Sequence, residues 1–250
     1  NYFAYFRTFD MIGNMRIENG ICASGKQNRQ MYPPIKKQFG CISFDKGGYY
    51  CIREKDTFSF IRCGRHKDRP AHADNLHLDI WYQGENCLFD GGSYKYNTTE
   101  KLLRYFMGTE SHNTIMLEGH DQMLKGDRFI WYNWSQAEWS SLKETEDTYI
   151  FEGKVSCFTY LNKKIKHYRK IVKWKNTCKW EIEDCIDGNP KNMNMRQLWH
   201  TNKDNLSLES NGETIDTEQL CSNYYGQTTK CRQIEFQTKN SSIKTILQFI

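Results

Sequence analysis

The sequence predicts an all-β fold, an antiparallel multi-stranded β-sandwich of stacked sheets, with a short N-terminal helical and linker remnant before it. Three observations lead there. From Lys37 onward apolar residues recur with period two in short runs. Polar turns separate these runs at intervals of about 8–12 residues, the spacing of a sandwich. The 250 residues include 15 Tyr, 14 Phe and 7 Trp but only 4 Pro, a composition that favours strands and leaves few breaks in them.

Taken in order, residues 1–36 differ from the rest. Tyr2, Phe3, Tyr5, Phe6 and Phe9 fit one side of a short helix, a polar stretch runs through Lys26–Arg29, and Tyr32-Pro33-Pro34 closes the segment. This reads as the tail of an upstream helical domain plus a linker, with the sandwich domain occupying 37–250. The first strands are Phe39–Phe44, Tyr49–Ile52 and Phe58–Ile61, joined at Asp45–Gly48 and Lys55–Asp56. In the next, Leu76, Leu78 and Ile80 point one way and His77, Asp79 and Trp81 the other. Asn86–Asp90 runs into the Gly91-Gly92 turn. Asn97-Thr98-Thr99 can cap a short helix in which Glu100 suits the positive end and Leu102, Leu103 and Phe106 share a face. Asn113–Leu117, Tyr149–Phe151, Ile165–Trp174, Cys178–Ile186 and Ile234–Phe236 complete the strand set.

The net charge of +5 suits a polyanionic ligand and equally an ordinary soluble surface. No apolar run reaches the roughly 18 residues of a membrane span, and no basic-then-apolar leader is present. The chain starts at Asn1 and ends within the apolar Thr245–Ile250, so both ends are expected to be cut from a longer protein. The ten cysteines contain no CxxC spacing, which excludes a zinc ribbon; they read as buried, reduced thiols and lean toward a reducing compartment, with disulfides of unassigned pairing as the alternative for an exported protein. There is no glycine-rich phosphate loop, GxSxG elbow or HExxH, so kinase, α/β-hydrolase and zincin functions drop out.

The chemistry concentrates between Arg69 and Gln122. His72, Asp90 and His112 each adjoin a strand-like run, and two imidazoles with a carboxylate suit a zinc-type divalent cation. A hairpin would bring His72 and Asp90 together; the competing reading is polar residues satisfied at strand ends. Asp74 is expected either to orient a ligand imidazole or to form a turn with Asn75. The basic run Lys163–Lys175 reads as a solvated strand protecting a sheet edge, with nucleic-acid binding as the other option. The aromatic run Trp131–Trp139 reads as core, or as rings for stacking on sugars.

The window reads Arg69-Pro-Ala-His72-Ala-Asp74, Leu88-Phe-Asp90-Gly-Gly-Ser-Tyr94-Lys-Tyr96 and Ser111-His112-Asn113-Thr-Ile, followed by Gly119-His-Asp121-Gln122 and Arg128-Phe-Ile-Trp131. In this order the pieces resemble the heparinase II/III-like family of polysaccharide lyases, in its C-terminal β-sandwich domain. The resemblance covers about residues 64–139 strongly and continues more weakly to the end. It implies an upstream α/α toroid domain as partner, an acidic polysaccharide in the cleft between the two, and β-elimination at uronate residues. It also implies a zinc-like ion held at His72, Asp90 and His112. Such elimination needs a base for the C5 proton, neutralisation of the carboxylate and an acid for the departing O4. The resemblance assigns these tasks to toroid residues and to a sandwich histidine two positions before the first metal histidine. Here that position is Pro70, which transfers no proton.

The expectation is therefore a lyase-like sandwich domain, inactive without its toroid, in which the metal is structural. Tyr94, Tyr96 and Tyr105 are the catalytic candidates that remain in this chain. The alternative is a non-catalytic glycan-binding or assembly module. The resemblance implies the periplasm or cell envelope, against a cytoplasmic reading of the cysteines.

Overall fold

The computed structural model describes residues 38–249, so the helical remnant expected within 1–36 lies outside the described residues. Strands β1 (Gly40–Phe44), β2 (Tyr49–Arg53), β3 (Thr57–Arg62), β4 (Leu78–Tyr82) and β5 (Glu85–Leu88) form a five-stranded sheet in chain order. Helix α1 (Glu100–Met107) and a 3-10 turn (Thr109–Ser111) lead into β6 (Ile115–Leu117). The small pair β7 (Leu124–Lys125) and β8 (Trp131–Tyr132) follows. Long strands come next: β9 (Gln136–Glu144), β10 (Thr148–Ser156), β11 (Lys166–Trp174), β12 (Lys179–Asp187), β13 (Met195–Thr201), β14 (Leu206–Ser210), β15 (Glu213–Cys221), β16 (Thr229–Thr238) and β17 (Ser242–Phe249). A six-stranded sheet runs β14-β17-β12-β11-β10-β9, and a four-stranded sheet runs β15-β16-β13-β6. Every pairing within these sheets is antiparallel, as the period-two pattern predicts.

One continuous core joins the three large sheets. Ile52, Ile61, Leu78 and Ile80 meet Phe151, Ile171, Trp180 and Leu247, and these meet Trp199, Ile234 and Phe236. Strict alternation on the long strands makes this possible: in β12 Trp180, Ile182, Asp184 and Ile186 are buried while their neighbours are not. The helix begins as its sequence predicts. Thr99 Oγ1 accepts the Leu102 N–H at 3.4 Å, and Leu103, Phe106 and Met107 are buried.

Two sequence expectations need correction. Residues Lys163–Lys175 do not form a solvated edge: β11 is paired on both sides, and its inward face carries His167, Arg169, Ile171 and Lys173, all buried. These polar groups persist inside because each meets a partner there. Arg169 forms a fork with Asp184, both contacts at 2.7 Å, and His167 Nε2 reaches the same carboxylate at 2.7 Å. Lys173 Nζ pairs with Glu54 at 2.6 Å and donates to two backbone carbonyls. The Leu76–Ile80 strand starts later than its alternation suggests. Leu76 has φ +62° and β4 begins at Leu78, so residues 74–76 form a turn rather than extended chain.

None of the nine described cysteines is in a disulfide, and burial pushes the thiols of Cys51 and Cys63 up to about 12, which leaves them unreactive. Among the described residues no helix is long and apolar enough to cross a membrane.

The buried network around Asp184 sets a stability prediction. Arg169→Met removes one partner and leaves the carboxylate uncompensated, so the variant should lose about 3–5 kcal/mol in denaturant unfolding. A loss below about 1 kcal/mol would show that the network tolerates its own opening.

Candidate metal centre

Three segments converge where the five-stranded and four-stranded sheets meet: the loop before β4, the turn after β5 and the 3-10 turn before β6. Backbone bonds fasten them to each other. Ala73 N–H donates to Met107 O at 2.9 Å, Gly91 N–H to Ser111 O at 2.8 Å, and Leu78 N–H to Asn113 O at 3.3 Å. Gln122 stitches the loop from behind: its Oε1 accepts the Asn75 N–H at 3.0 Å and its Nε2 donates to Asn75 O at 2.8 Å. The Gly91-Gly92 turn has no room for side chains. A Cβ on Gly91 would sit 2.8 Å from Ser111, and one on Gly92, at φ +88°, would sit 2.1 Å from the Ser222 carbonyl.

On this frame His72, Asp90 and His112 come together. His112 Nδ1 lies 2.7 Å from Asp90 Oδ2, while Asp90 Oδ1 accepts the Gly92 N–H at 2.6 Å. The other nitrogen of His112, Nε2, lies 3.3 Å from His72 Nδ1, and His72 Nε2 lies 3.2 Å from Ser93 Oγ. Burial and the adjacent His112 push the His72 pKa down to about 4. Burial also opposes a charge on His112, but the Asp90 carboxylate outweighs it and the pKa ends raised.

This donor set fits a metal. Two nitrogens at 2.0–2.1 Å from a tetrahedral zinc are separated by about 3.3–3.4 Å, the spacing of the facing His72 and His112 nitrogens. With its Nδ1–H directed at Asp90, His112 presents Nε2 as a lone pair. Asp90 thus stands behind the His112 ring as an orienting carboxylate, an arrangement common around ligating histidines.

The sequence assigned no role here to His77, Asn113 or His200. His77, Asp90 and His112 also lie with one ligand atom each within 4.8 Å of one another. The hydrogen bonds of His77 argue against it as a ligand: its Nδ1 accepts the Asn113 N–H at 2.9 Å, so Nε2 carries the proton and directs it at Asp79 Oδ1, 3.0 Å away. Asn113 is a buried hub, donating to Leu78 O and Phe89 O and accepting from the backbone N–H of His200 at 2.8 Å. His200, a lone histidine in β13, packs its Nδ1 at 3.0 Å from the same Asn113 oxygen. His77 alternated visibly in the sequence, but nothing local marked Asn113 or His200.

Asp74 is paired with Arg62 at 3.8 Å. Burial raises its carboxyl pKa, but Arg62 and the nearby imidazoles outweigh that and it ends lowered. The tyrosines separate clearly. Tyr105 donates its hydroxyl to Leu220 O at 2.8 Å, and burial pushes the phenol up. Tyr94 packs against Phe106 at 5.4 Å with the rings tilted by 34°, whereas Tyr96 is half exposed beside Phe129. Pro70 is buried. In the aromatic run Trp131 is core and donates to Ala71 O at 3.2 Å, while Tyr132 and Trp139 stay exposed.

The matched comparisons agree with this architecture. The model of the family "Heparinase II/III-like, C-terminal" matches residues 37–245, and the chain belongs to that family. No curated protein matches it. Among solved structures, a heparinase III gene product with methylated lysines superposes with a TM-score of 0.70 at 17% identity, covering 87% of this chain and 36% of the other. The heparan sulfate lyase HepC of Pedobacter heparinus gives 0.69 at 15%, covering 85% and 36%, and a heparinase III gives 0.67 at 14%, covering 87% and 38%. At these identities the likeness concerns the fold. The chain spans little more than a third of the length of these structures.

The buried His200 gives a pH prediction. Burial, then the charge of His112, lowers its pKa to about 3, so the unfolded chain binds a proton that the folded chain refuses below about pH 6.5. The contribution is complete above that pH and is lost as pH falls toward 3. His200→Gln should therefore flatten the acid limb of the unfolding free energy by up to about 1.4 kcal/mol per pH unit. Parallel limbs for variant and parent would contradict this.

Proposed function

We propose that this chain is the sandwich domain of a polysaccharide lyase-like protein acting on acidic, uronate-containing glycans by β-elimination, and that it does not catalyse by itself. The observation that carries the reading is the facing pair His72 and His112 backed by Asp90. Family membership supports the substrate class, since the matched structures are a heparan sulfate lyase and heparinases III.

A zinc-type cation would be held by His72 and His112, with Asp90 fixing the His112 ring. Bound there, it supplies positive charge and a cross-link between the loop before β4 and the turn before β6. Elimination also needs a proton acceptor and a proton donor near the uronate. Pro70 supplies neither, and Tyr105 is bound to a backbone carbonyl. Tyr94 or Tyr96 would have to act alone, so the reading assigns proton transfer to an upstream α/α toroid, with residues 1–36 as its tail and linker. The periplasm or cell envelope follows from an extracellular glycan substrate; a cytoplasmic location, read from the cysteines in the sequence, is the alternative. A non-catalytic glycan-binding module is the second reading, and Pro70 favours it.

Elemental analysis of the purified chain should give one equivalent of a divalent metal, lost in His72→Ala and in His112→Ala. Asp90→Asn should weaken it by about 10–100-fold, and His77→Gln should retain it. Retention in both alanine variants would remove the site. A toroid-containing form of the protein should release unsaturated uronate products, read by ultraviolet absorbance. Binding of uronate polymers without turnover in that form would replace the lyase by the binding module.

A further inference from the structure

We propose that Tyr96 and Tyr225, flanked by Arg69 and Lys95, form a stacking subsite for an acidic pyranose residue beside His72. This rests on the acidic-glycan reading and names the residues that would take the sugar.

The two rings are 51% and 66% exposed, and their centroids lie 5.9 Å apart at 51°. Phe129 meets Tyr96 edge-on at 5.7 Å and fixes that ring from below. Two cations lie against aromatic rings next to this pair. The Arg69 guanidinium lies 5.7 Å from the Phe129 ring centre, and Lys95 Nζ lies 5.1 Å from that of Tyr94. Large exposed aromatic side chains on a soluble surface mark recognition sites, and tyrosine offers both an apolar face and a hydroxyl.

The platform is built into the fold, since two loops distant in sequence are bonded to each other. Tyr96 N–H donates to Tyr225 Oη at 3.4 Å, Gly226 N–H to Tyr94 O at 3.1 Å, and Ser222 N–H to Gly91 O at 2.7 Å. Tyr94 takes φ +53°, a costly conformation for an aromatic residue, held within this junction. Ser93 connects the platform to the metal centre through its contact with His72.

Rings tilted by 51° form a bent surface suited to the C–H faces of successive chair-shaped sugars; a slot for a flat base would need parallel rings. Flanking cations favour a carboxylated or sulfated sugar over a neutral one. They also disfavour a purely apolar protein partner.

The test is titration calorimetry of this chain with a glucuronate-containing hexasaccharide and with its carboxyl-reduced counterpart. Tyr96→Ala and Tyr225→Ala should each weaken the acidic ligand by about tenfold, and Tyr225→Phe should keep most of the affinity. Arg69→Ala should weaken the acidic ligand and leave the reduced one unchanged. Metal content and thermal midpoint, read on every variant, show that the fold is intact. Parent-like binding by both alanine variants overturns the platform while leaving the acidic-glycan reading standing. Absence of binding by the parent chain and by its toroid-containing form overturns both. Equal, tyrosine-dependent binding of a single-stranded oligonucleotide assigns the platform to nucleic acid and overturns the sugar subsite.

Discussion

The guanidinium of Arg169 is the contact on which the site depends. Its fork closes on Asp184 inside the six-stranded sheet, and its remaining nitrogen donates outward to Leu76 O at 2.6 Å and Asn113 O at 2.7 Å. Leu76 precedes His77, and Asn113 follows His112. One fully buried side chain thus ties the central sheet to both segments that carry the imidazoles. Asp184 also accepts from His167 and from Gln197, so its lone pairs are used up and the cost of burying the charges is offset. Arginine suits this position because its planar fork makes four directed contacts at once, which an ammonium group would not.

Asn113 then distributes that constraint. It bonds β4, the end of β5 and β13 through one fully buried side chain. Asp90 and His112 are held by what surrounds them, and the ring tautomers follow: His112 donates to Asp90 and His77 donates to Asp79. The result is a rigid pair of facing nitrogens at the corner of the sandwich. Binding to such a preformed pair sacrifices little conformational freedom.

Much of this was readable in the linear chain. Alternation in β10 and β12 reported two-faced strands, since a period of two has one structural meaning when sustained. Thr99 and Glu100 announced the helix because capping is a local interaction. The grouping of His72, Asp90 and His112 came from motif wording rather than spacing, because residues far apart in sequence carry no distance information. Residues 163–175 misled for a definite reason. Charge in a strand signals solvent unless a partner is known, and the partners lie elsewhere, Asp184 on β12 and Glu54 in the turn between β2 and β3. His77 carried no assigned role in the sequence, because the backbone N–H from Asn113 that fixes its tautomer comes from a distant segment.

By itself, then, the sequence determined the class of fold, the positions of most strands, the capped helix and the window in which the chemistry sits. These depend on periodicity and short-range bonds, which are encoded within a few neighbouring residues. Only the tertiary structure decided which nitrogens face one another, which charges are inside and which tyrosines remain on the surface. Those outcomes depend on donors and acceptors brought from different sheets, and the energy of a buried charge is fixed by the partner that meets it there.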